Sequence, residues 1–300
     1  MRITRMRAAA IGCILPVFLS GVAFGAGPWP KFYGQAGAYG VRTPDEVGDM
    51  ARQGFHIALL YERSAHSDAV GKNGVSYIDL DPQFEIYKHC HQELQDRGSC
   101  SSAAQDDALQ AIEEHDSKYA GDPNLIGYWL LDDYPGGDVR GLMRRVHDEI
   151  ASEKGPFARP AICGFNNMRS IENFDPRACD MVAIYLYAHT NRGDDSRPDW
   201  SLGSRLPEML DALRARGWDQ RRAPLIGMPQ AFGDSDGRNF VLPDADGVAQ
   251  QSEAFCRAGA IALLAYSWDD GERRSQLGNT PSLVQGLKQG AQICRKNYWR

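Results

Sequence analysis

The chain has 300 residues, of which 43% are hydrophobic and 24% are charged, as in an ordinary globular protein. This composition excludes a disordered chain, a collagen-like fibre and a coiled coil. The formal net charge is −6 and the sequence has no basic tract. Both features argue against a nucleic-acid-binding protein, whose affinity depends on neutralising phosphates.

The first residues have the pattern of an export signal. Three arginines among the first seven residues precede an apolar run over residues 8–24, which ends in small residues suited to cleavage. This pattern predicts a signal peptide over residues 1–25 and a secreted or periplasmic protein that does not contact the membrane after the signal is removed. The alternatives are a single membrane anchor, which Pro16 and several glycines disfavour, and a lipoprotein at Cys13, which stands too early in the run.

Six cysteines follow residue 25, and an even number in an exported chain predicts disulfide bonds. Six cysteines allow 15 pairings. Pairing neighbours along the sequence gives Cys90–Cys100, Cys163–Cys179 and Cys256–Cys294. The alternative is that some of them are buried free thiols.

Short apolar segments alternate with helical patterns along the rest of the chain. The predicted strands cover residues 32–34, 55–61, 126–131, 160–164, 181–187, 224–229 and 260–268. The predicted helices cover residues 43–54, 81–97, 103–119, 138–152, 206–216, 248–258 and 283–294. Residues 64–79 are polar and predict a loop, with a small hairpin at Lys72-Asn73-Gly74.

Strands that alternate with helices predict parallel pairing through βαβ units, and near-continuous apolar strands are typical of a sheet covered by helices. Seven strands are recognisable, and we expect a degenerate third strand near Cys100. The prediction is therefore an α/β fold, a (β/α)₈ TIM barrel that forms one domain over residues 26–300. A doubly wound open sheet is the alternative. No dinucleotide or P-loop motif occurs, so we expect no cofactor.

The active site of such a barrel lies at the carboxyl ends of the strands. The acidic residues there are the catalytic candidates Glu62, Asp132, Asp133 and Asp269. The binding candidates are Tyr33, Gln35, Trp129, Tyr187, His189, Gln230 and Trp268. Carboxylates, amides and aromatic rings suit a carbohydrate, which offers hydroxyls and apolar C–H faces, whereas the cations that phosphate requires are missing.

Each candidate also has a structural interpretation. The aspartate pair at 132–133 is compatible with a helix cap, and strand alternation turns only one of the two inward. Trp129 and Trp268 have the sequence context of core residues. Glu62 is followed by Arg63, as in a surface ion pair, and Asp269 opens a stretch that resembles a solvated turn.

Two segments resemble TIM-barrel glycoside hydrolases. Residues 120–135, with the sequence AGDPNLIGYWLLDDYP, are similar to the fourth-strand region of that superfamily, which ends in the acid/base carboxylate. Tyr266-Ser267-Trp268 resembles the eighth strand, where a tryptophan lines the sugar site. The resemblance implies that Asp133 is the acid/base residue.

The sequence departs from that pattern at two positions. Asp133 stands where the superfamily usually has glutamate, and Gln230 stands where a nucleophilic glutamate is expected. A second carboxylate from Asp269 or Asp270 would lie across the barrel from Asp133, at a separation that leaves room for an attacking water.

We therefore predict an exported glycoside hydrolase-like enzyme that acts on a polysaccharide or oligosaccharide. Asp133 would be the general acid, kept protonated by burial beside aromatic rings, and Asp132 would orient it or position the substrate. Asp269 or Glu62 would supply the second carboxylate. One alternative is a catalytically silent barrel that binds carbohydrate. The other is a metal-dependent hydrolase using Asp132, Asp133, Asp269 and His189, although histidines are few.

Overall fold

The computed structural model describes residues 29–61, 67–119, 121–132, 137–150, 159–190, 201–234, 239–271 and 275–299. The predicted signal peptide and the candidates Glu62 and Asp133 lie outside these ranges. No helix in the described part of the chain is both long and apolar enough to cross a membrane.

Eight parallel strands pair in chain order, and the first also pairs with the last, so the sheet closes into a barrel. The strands are β1 (Gln35–Val41), β2 (Ile57–Leu60), β3 (Ser76–Asp79), β4 (Leu125–Leu131), β5 (Ala161–Phe165), β6 (Met181–Leu186), β7 (Leu225–Pro229) and β8 (Ala260–Ala265). This architecture confirms the predicted (β/α)₈ TIM barrel.

Helices connect the strands and surround the barrel. They are α1 (Pro44–Arg52), α2 (Ser67–Lys72), α3 (Asp81–Arg97), α4 (Ser102–Tyr119), α5 (Arg140–Ile150), α6 (Met168–Ile171), α7 (Leu206–Ala215), α8 (Ala245–Arg257) and α9 (Pro281–Asn297). A π-helical turn at Ser201–Arg205 leads into α7, and a 3₁₀ turn at Leu277–Asn279 precedes α9. The two-residue strands Phe232–Gly233 and Ser275–Gln276 pair outside the barrel.

The position predicted for the third strand was wrong. The strand lies at Ser76–Asp79, inside the segment that was predicted as a loop, and residues 98–101 instead join α3 to α4. The predicted hairpin at Lys72-Asn73-Gly74 is the end of α2 and the turn that follows it. Four residues with a serine and an aspartate at the ends give too little hydrophobic pattern to mark a strand.

The first strand also lies further along the chain than predicted. Residues 32–34 form a turn, and β1 begins at Gln35. This strand is rich in glycine and alanine, which have low strand propensity, so its composition conceals it. Close packing requires the glycine at position 37, since a Cβ there would lie 1.9 Å from the carbonyl oxygen of Ile57.

The core has two parts that follow from the alternation of side chains along each strand. One cluster fills the barrel and includes Ile57, Ile78, Trp129 and Met228. A larger cluster lies between the strands and the helices.

All three predicted disulfides are confirmed. Cys90–Cys100 ties α3 to its connection with α4, Cys163–Cys179 ties β5 to the segment before β6, and Cys256–Cys294 joins α8 to α9.

Candidate functional site

A carboxylate lies at the mouth of the barrel, at the carboxyl end of β4. The pairing of β4 with β5 shifts register between Trp129 and Leu131, which is the signature of a bulge. Leu130 and Leu131 therefore both pack in the outer cluster. Asp132, the next residue, reaches side chains that belong to the cluster inside the barrel.

Two tyrosines hold the Asp132 carboxylate. The hydroxyl of Tyr39, on β1, donates to Oδ2 at 3.0 Å, and the hydroxyl of Tyr185, on β6, donates to Oδ1. In the closed sheet β1 is three strands from β4 in one direction and β6 is two strands away in the other. The carboxylate is thus bound from both sides of the opening, and two phenol donors stabilise its ionised form.

Aromatic rings extend from the two tyrosines along the carboxyl ends of β6, β7, β8, β1 and β2, and we call them the aromatic mouth. Its members are Tyr39, Tyr61, Tyr185, Tyr187, Phe232, Phe240 and Tyr266. The ring centroids of Tyr39 and Tyr61 are 5.5 Å apart, and those of Tyr39 and Tyr266 are 4.9 Å apart. The Tyr187 ring meets Tyr266 at 5.7 Å and Phe232 at 4.9 Å, so the contacts continue around the opening.

A second acidic residue, Asp270, lies at the side of the mouth formed by β8. Its side chain is buried, and its Oδ1 accepts a hydrogen bond from the Gln276 amide at 2.9 Å. Its charge also acts on the nearby Tyr266. The Tyr39 ring contacts both Tyr61 and Tyr266, so a chain of tyrosines connects the surroundings of Asp132 with those of Asp270.

The tyrosines of the mouth keep their protons at neutral pH. Burial, together with the charge of Asp132, raises the pKa of Tyr39 well above its ordinary value. Burial and the carboxylates of Asp270 and Asp132 raise the pKa of Tyr61 to about 12. Burial and its neighbours Tyr187, Tyr61 and Asp270 also raise the pKa of Tyr266. The mouth therefore offers hydroxyl groups that can donate to an acceptor.

The predicted carboxylates divide into three groups. Asp132 is at the mouth, and Asp133 and Glu62 lie outside the described residues. Asp269 accepts a hydrogen bond from the backbone N–H of Gly271 at 2.7 Å, within its own turn. The charge of the adjacent Asp270 acts on Tyr61 and Tyr266 of the mouth.

Gln230, at the end of β7, is fully buried and its amide is bonded to backbone. Its Oε1 accepts from the N–H of His189 at 2.8 Å, and its Nε2 donates to the carbonyls of His189, Phe232 and Val241. The side chain therefore braces the segments that follow β6 and β7. Backbone groups therefore supply hydrogen-bond partners for both the oxygen and the nitrogen of the Gln230 side-chain amide.

His189 lies beside this brace and is partly buried. Burial lowers the pKa of its imidazole. Its Nε2 has no hydrogen-bond partner among the residues that the structure describes. Tyr187, two residues earlier, belongs to the aromatic mouth.

Of the other four binding candidates, Trp129 is buried beneath the mouth and three lie away from the opening. Trp129 is fully buried inside the barrel, with its ring 6.1 Å from that of Tyr39. Trp268 is 3% exposed and packs in the outer cluster, beside Gly278. Tyr33 and Gln35 lie at the amino end of β1, opposite the mouth.

Sequence reasoning missed several members of the mouth. Tyr39 was missed because the first strand was placed too early in the chain. Tyr61, Tyr185 and Tyr266 stand at the ends of predicted strands, where active-site residues are expected, but were not among the chosen binding candidates. Phe232 and Phe240 lie in the irregular segment after β7, where no periodicity identifies inward-facing residues.

One group among the described residues has the spacing of metal ligands, and it lies at the end of β3. Ligand atoms of Asp79, Asp81 and His115 are all within 4.8 Å of one another. Nε2 of His115 is 3.3 Å from Oδ2 of Asp79 and also pairs with Asp81. Burial lowers the pKa of His115, but its hydrogen bonds to Asp79 and Asp81 outweigh this effect and raise the pKa to about 9. A protonated imidazole between two carboxylates accounts for this geometry.

Comparisons with known proteins give matches at the level of structure only. No family model matches the chain, and no curated protein matches it in sequence. Among solved structures, a class V chitinase from Nicotiana tobaccum superposes with a TM-score of 0.55 at 9% identity, covering 87% of this chain and 98% of the chitinase.

Two further solved structures show the range of these matches. The chitinase RmChi1 from Rhizomucor miehei has a TM-score of 0.53 at 12% identity, covering 86% of this chain and 99% of its own. The GH99 endo-alpha-mannosidase from Bacteroides thetaiotaomicron has a TM-score of 0.53 at 12% identity, covering 84% of this chain and 79% of its own. The predicted resemblance to TIM-barrel glycoside hydrolases is thus confirmed for the fold.

Proposed function

We propose that this protein is an exported glycoside hydrolase that binds a carbohydrate chain in the aromatic mouth. The observation that carries the proposal is the Asp132 carboxylate, which two tyrosine hydroxyls of the aromatic mouth hold by hydrogen bonds. Sugar rings pack their C–H faces on aromatic rings and bond their hydroxyls to phenols and carboxylates. The amino-terminal pattern and the three disulfides support export.

The proposed mechanism assigns different roles to the two adjacent aspartates. Asp132, hydrogen-bonded by Tyr39 and Tyr185, positions the sugar and stabilises positive charge that develops at the anomeric carbon. Asp133 is the proposed general acid and gives its proton to the glycosidic oxygen as the bond to the leaving sugar breaks. An eighth-strand carboxylate activates the attacking water. Asp269 or Glu62 was predicted for this role, and the proximity of Asp270 to Tyr266 favours Asp270.

A catalytically silent carbohydrate-binding barrel is the second candidate function. The observation that favours it is Gln230, which has no acidic group and whose amide is engaged by the backbone. A silent barrel would bind glycans through the same aromatic mouth but would release no sugar.

A panel of polysaccharides and oligosaccharides tests both candidates when binding and release of reducing ends are measured together. The proposal expects release by the purified mature protein and a loss of about 100-fold or more in Asp133→Asn, because general acid catalysis contributes roughly that factor. Asp107→Asn, an exposed aspartate on α4, is the matched control and should keep full activity. Binding without release would establish the silent barrel, and neither binding nor release would contradict both.

A further inference from the structure

At the carboxyl side of the barrel, β3 ends about three residues before its neighbour β4. Asp79, the last residue of β3, pairs with Tyr128, whereas β4 continues to Leu131. Helix α3 starts two residues after β3 ends, so its first turns lie next to this end of β3. The connection between α3 and α4 reaches the carboxyl end of β4, since Gly98 accepts a hydrogen bond from the N–H of Asp138 at 2.9 Å.

Helix α3 exposes two aromatic rings at this place. Phe84 is 37% exposed and Tyr87 is 44% exposed, and they are the aromatic members of the five large hydrophobic residues exposed in the described ranges. A spacing of three residues puts them on the same side of the helix. The buried residues Ile86, Cys90 and Leu94 form an adjacent stripe of the same helix, four residues apart.

These rings continue the aromatic mouth outward. Phe84 stacks on Tyr61 with ring centroids 6.1 Å apart and an angle of 25° between the planes. Tyr61 packs against Tyr39, which donates its hydrogen bond to Asp132. An uninterrupted line of aromatic contacts therefore runs from the carboxylate to α3.

The rings are also held in place. The Cys90–Cys100 disulfide ties α3 to its connection with α4, which reduces movement of the helix relative to the barrel. The Tyr87 hydroxyl is 3.2 Å from Nε2 of His91, and their rings are 4.1 Å apart. A fixed, exposed ring loses little conformational entropy when a ligand packs on it.

We infer that Tyr61, Phe84 and Tyr87 form a platform for sugar units beyond the one at Asp132, so that the substrate is a chain of several sugars that leaves the mouth over α3. The inference rests on the proposed function and specifies its substrate class. The occupant is the continuing glycan because Phe84 stacks on Tyr61 and is therefore contiguous with the aromatic mouth, and Tyr87 follows on the same side of α3.

The test compares short and long oligosaccharides. Dissociation constants for chito-, cello- and manno-oligosaccharides of two and six units are measured in an Asp133→Asn background, which prevents cleavage. Tyr87→Leu and Phe84→Leu each keep an apolar side chain but remove the ring. Tyr298→Leu makes the same change just after α9, where the tyrosine hydroxyl bonds to Glu253 of α8, and is the matched control.

We expect each platform variant to weaken binding of the hexasaccharide about threefold to tenfold, while binding of the disaccharide and the control change by less than about twofold. Equal losses for both lengths, or no loss for the hexasaccharide, would overturn the platform and leave the proposed function standing. If no oligosaccharide of either length binds to any form of the protein, both proposals fail.

Discussion

The central residue of the site is Asp132, and its position depends on one irregularity in β4. Without the register shift after Trp129, the alternation of β4 would place residue 132 on the outer face of the barrel. The shift turns Asp132 toward Tyr39 and Tyr185 instead. Bulges next to active sites commonly re-aim a side chain in this way.

Replacing either tyrosine by phenylalanine removes one hydroxyl that donates to Asp132 and keeps the ring in place. A hydrogen bond to a charged group contributes about 1.5–3 kcal/mol, so Tyr39→Phe and Tyr185→Phe should each lower kcat about tenfold to hundredfold on whichever glycan is cleaved. Steady-state kinetics measures the loss, and Tyr119→Phe is the control. Unchanged kcat in both variants would show that Asp132 needs neither donor.

For single residues, the sequence predicts which residue types lie at the candidate site better than it predicts the directions of their side chains. Asp132 was identified because it follows a long apolar strand. Neither the bulge nor the contacts of Asp270 could be predicted, because both depend on strands that meet only in the folded chain. Gln230 stands where a nucleophile was expected, and only its three-dimensional neighbours show that its amide serves as a brace.

Among the elements, the strands and helices with strong patterns were predicted close to their observed bounds. β4, β5, β6 and β7 all lie within one or two residues of the predicted positions. β1 and β3 were misplaced because glycine, alanine and short polar ends weaken the hydrophobic signal that identifies a strand. The misplacement of β1 removed Tyr39 from the predicted site.

The disulfides should stabilise the fold more for longer closed loops, with a weak, logarithmic dependence on loop length. The paired cysteines are 38, 16 and 10 residues apart for Cys256–Cys294, Cys163–Cys179 and Cys90–Cys100. Loop-closure entropy predicts that replacing both cysteines by alanine costs about 4 kcal/mol for the first pair and about 3 kcal/mol for each of the others. Urea unfolding of the three double variants measures these losses. A greater cost for Cys90–Cys100 than for Cys256–Cys294 would contradict the prediction.

For the whole molecule, one histidine links three elements and makes stability depend on pH. His115 of α4 bonds to Asp79 at the end of β3 and to Asp81 at the start of α3. Its pKa is about 9 in the folded protein, above the value of about 6.5 for an unfolded chain. Folding therefore favours the protonated imidazole.

The pH profile of unfolding should show this linkage. The stabilisation is complete below about pH 6.5 and is lost as the pH rises through about 9, with an amplitude on the order of 3 kcal/mol. Chemical denaturation from pH 6 to pH 10 measures it, and His115→Gln removes the contribution. The difference in unfolding free energy between wild type and variant should shrink across this range. A constant difference would show that the ring is not charged in the fold.

The whole fold was the most predictable property. Alternating strands and helices restrict the topology to very few architectures, and the closed barrel follows from their number. The chemistry is less predictable, because the same barrel carries many activities and the acting residues lie on loops. For this reason the solved structures that share the barrel, at 9–12% identity, establish the fold and leave the activity to experiment.

A crystal structure of Asp133→Asn with a bound hexasaccharide tests the central claim most directly. The account predicts one sugar hydrogen-bonded to the Asp132 carboxylate and packed on the rings of the aromatic mouth, with the following units over α3. Sugar density at another surface, with the Asp132 carboxylate bonded only to its two tyrosines, would contradict the account.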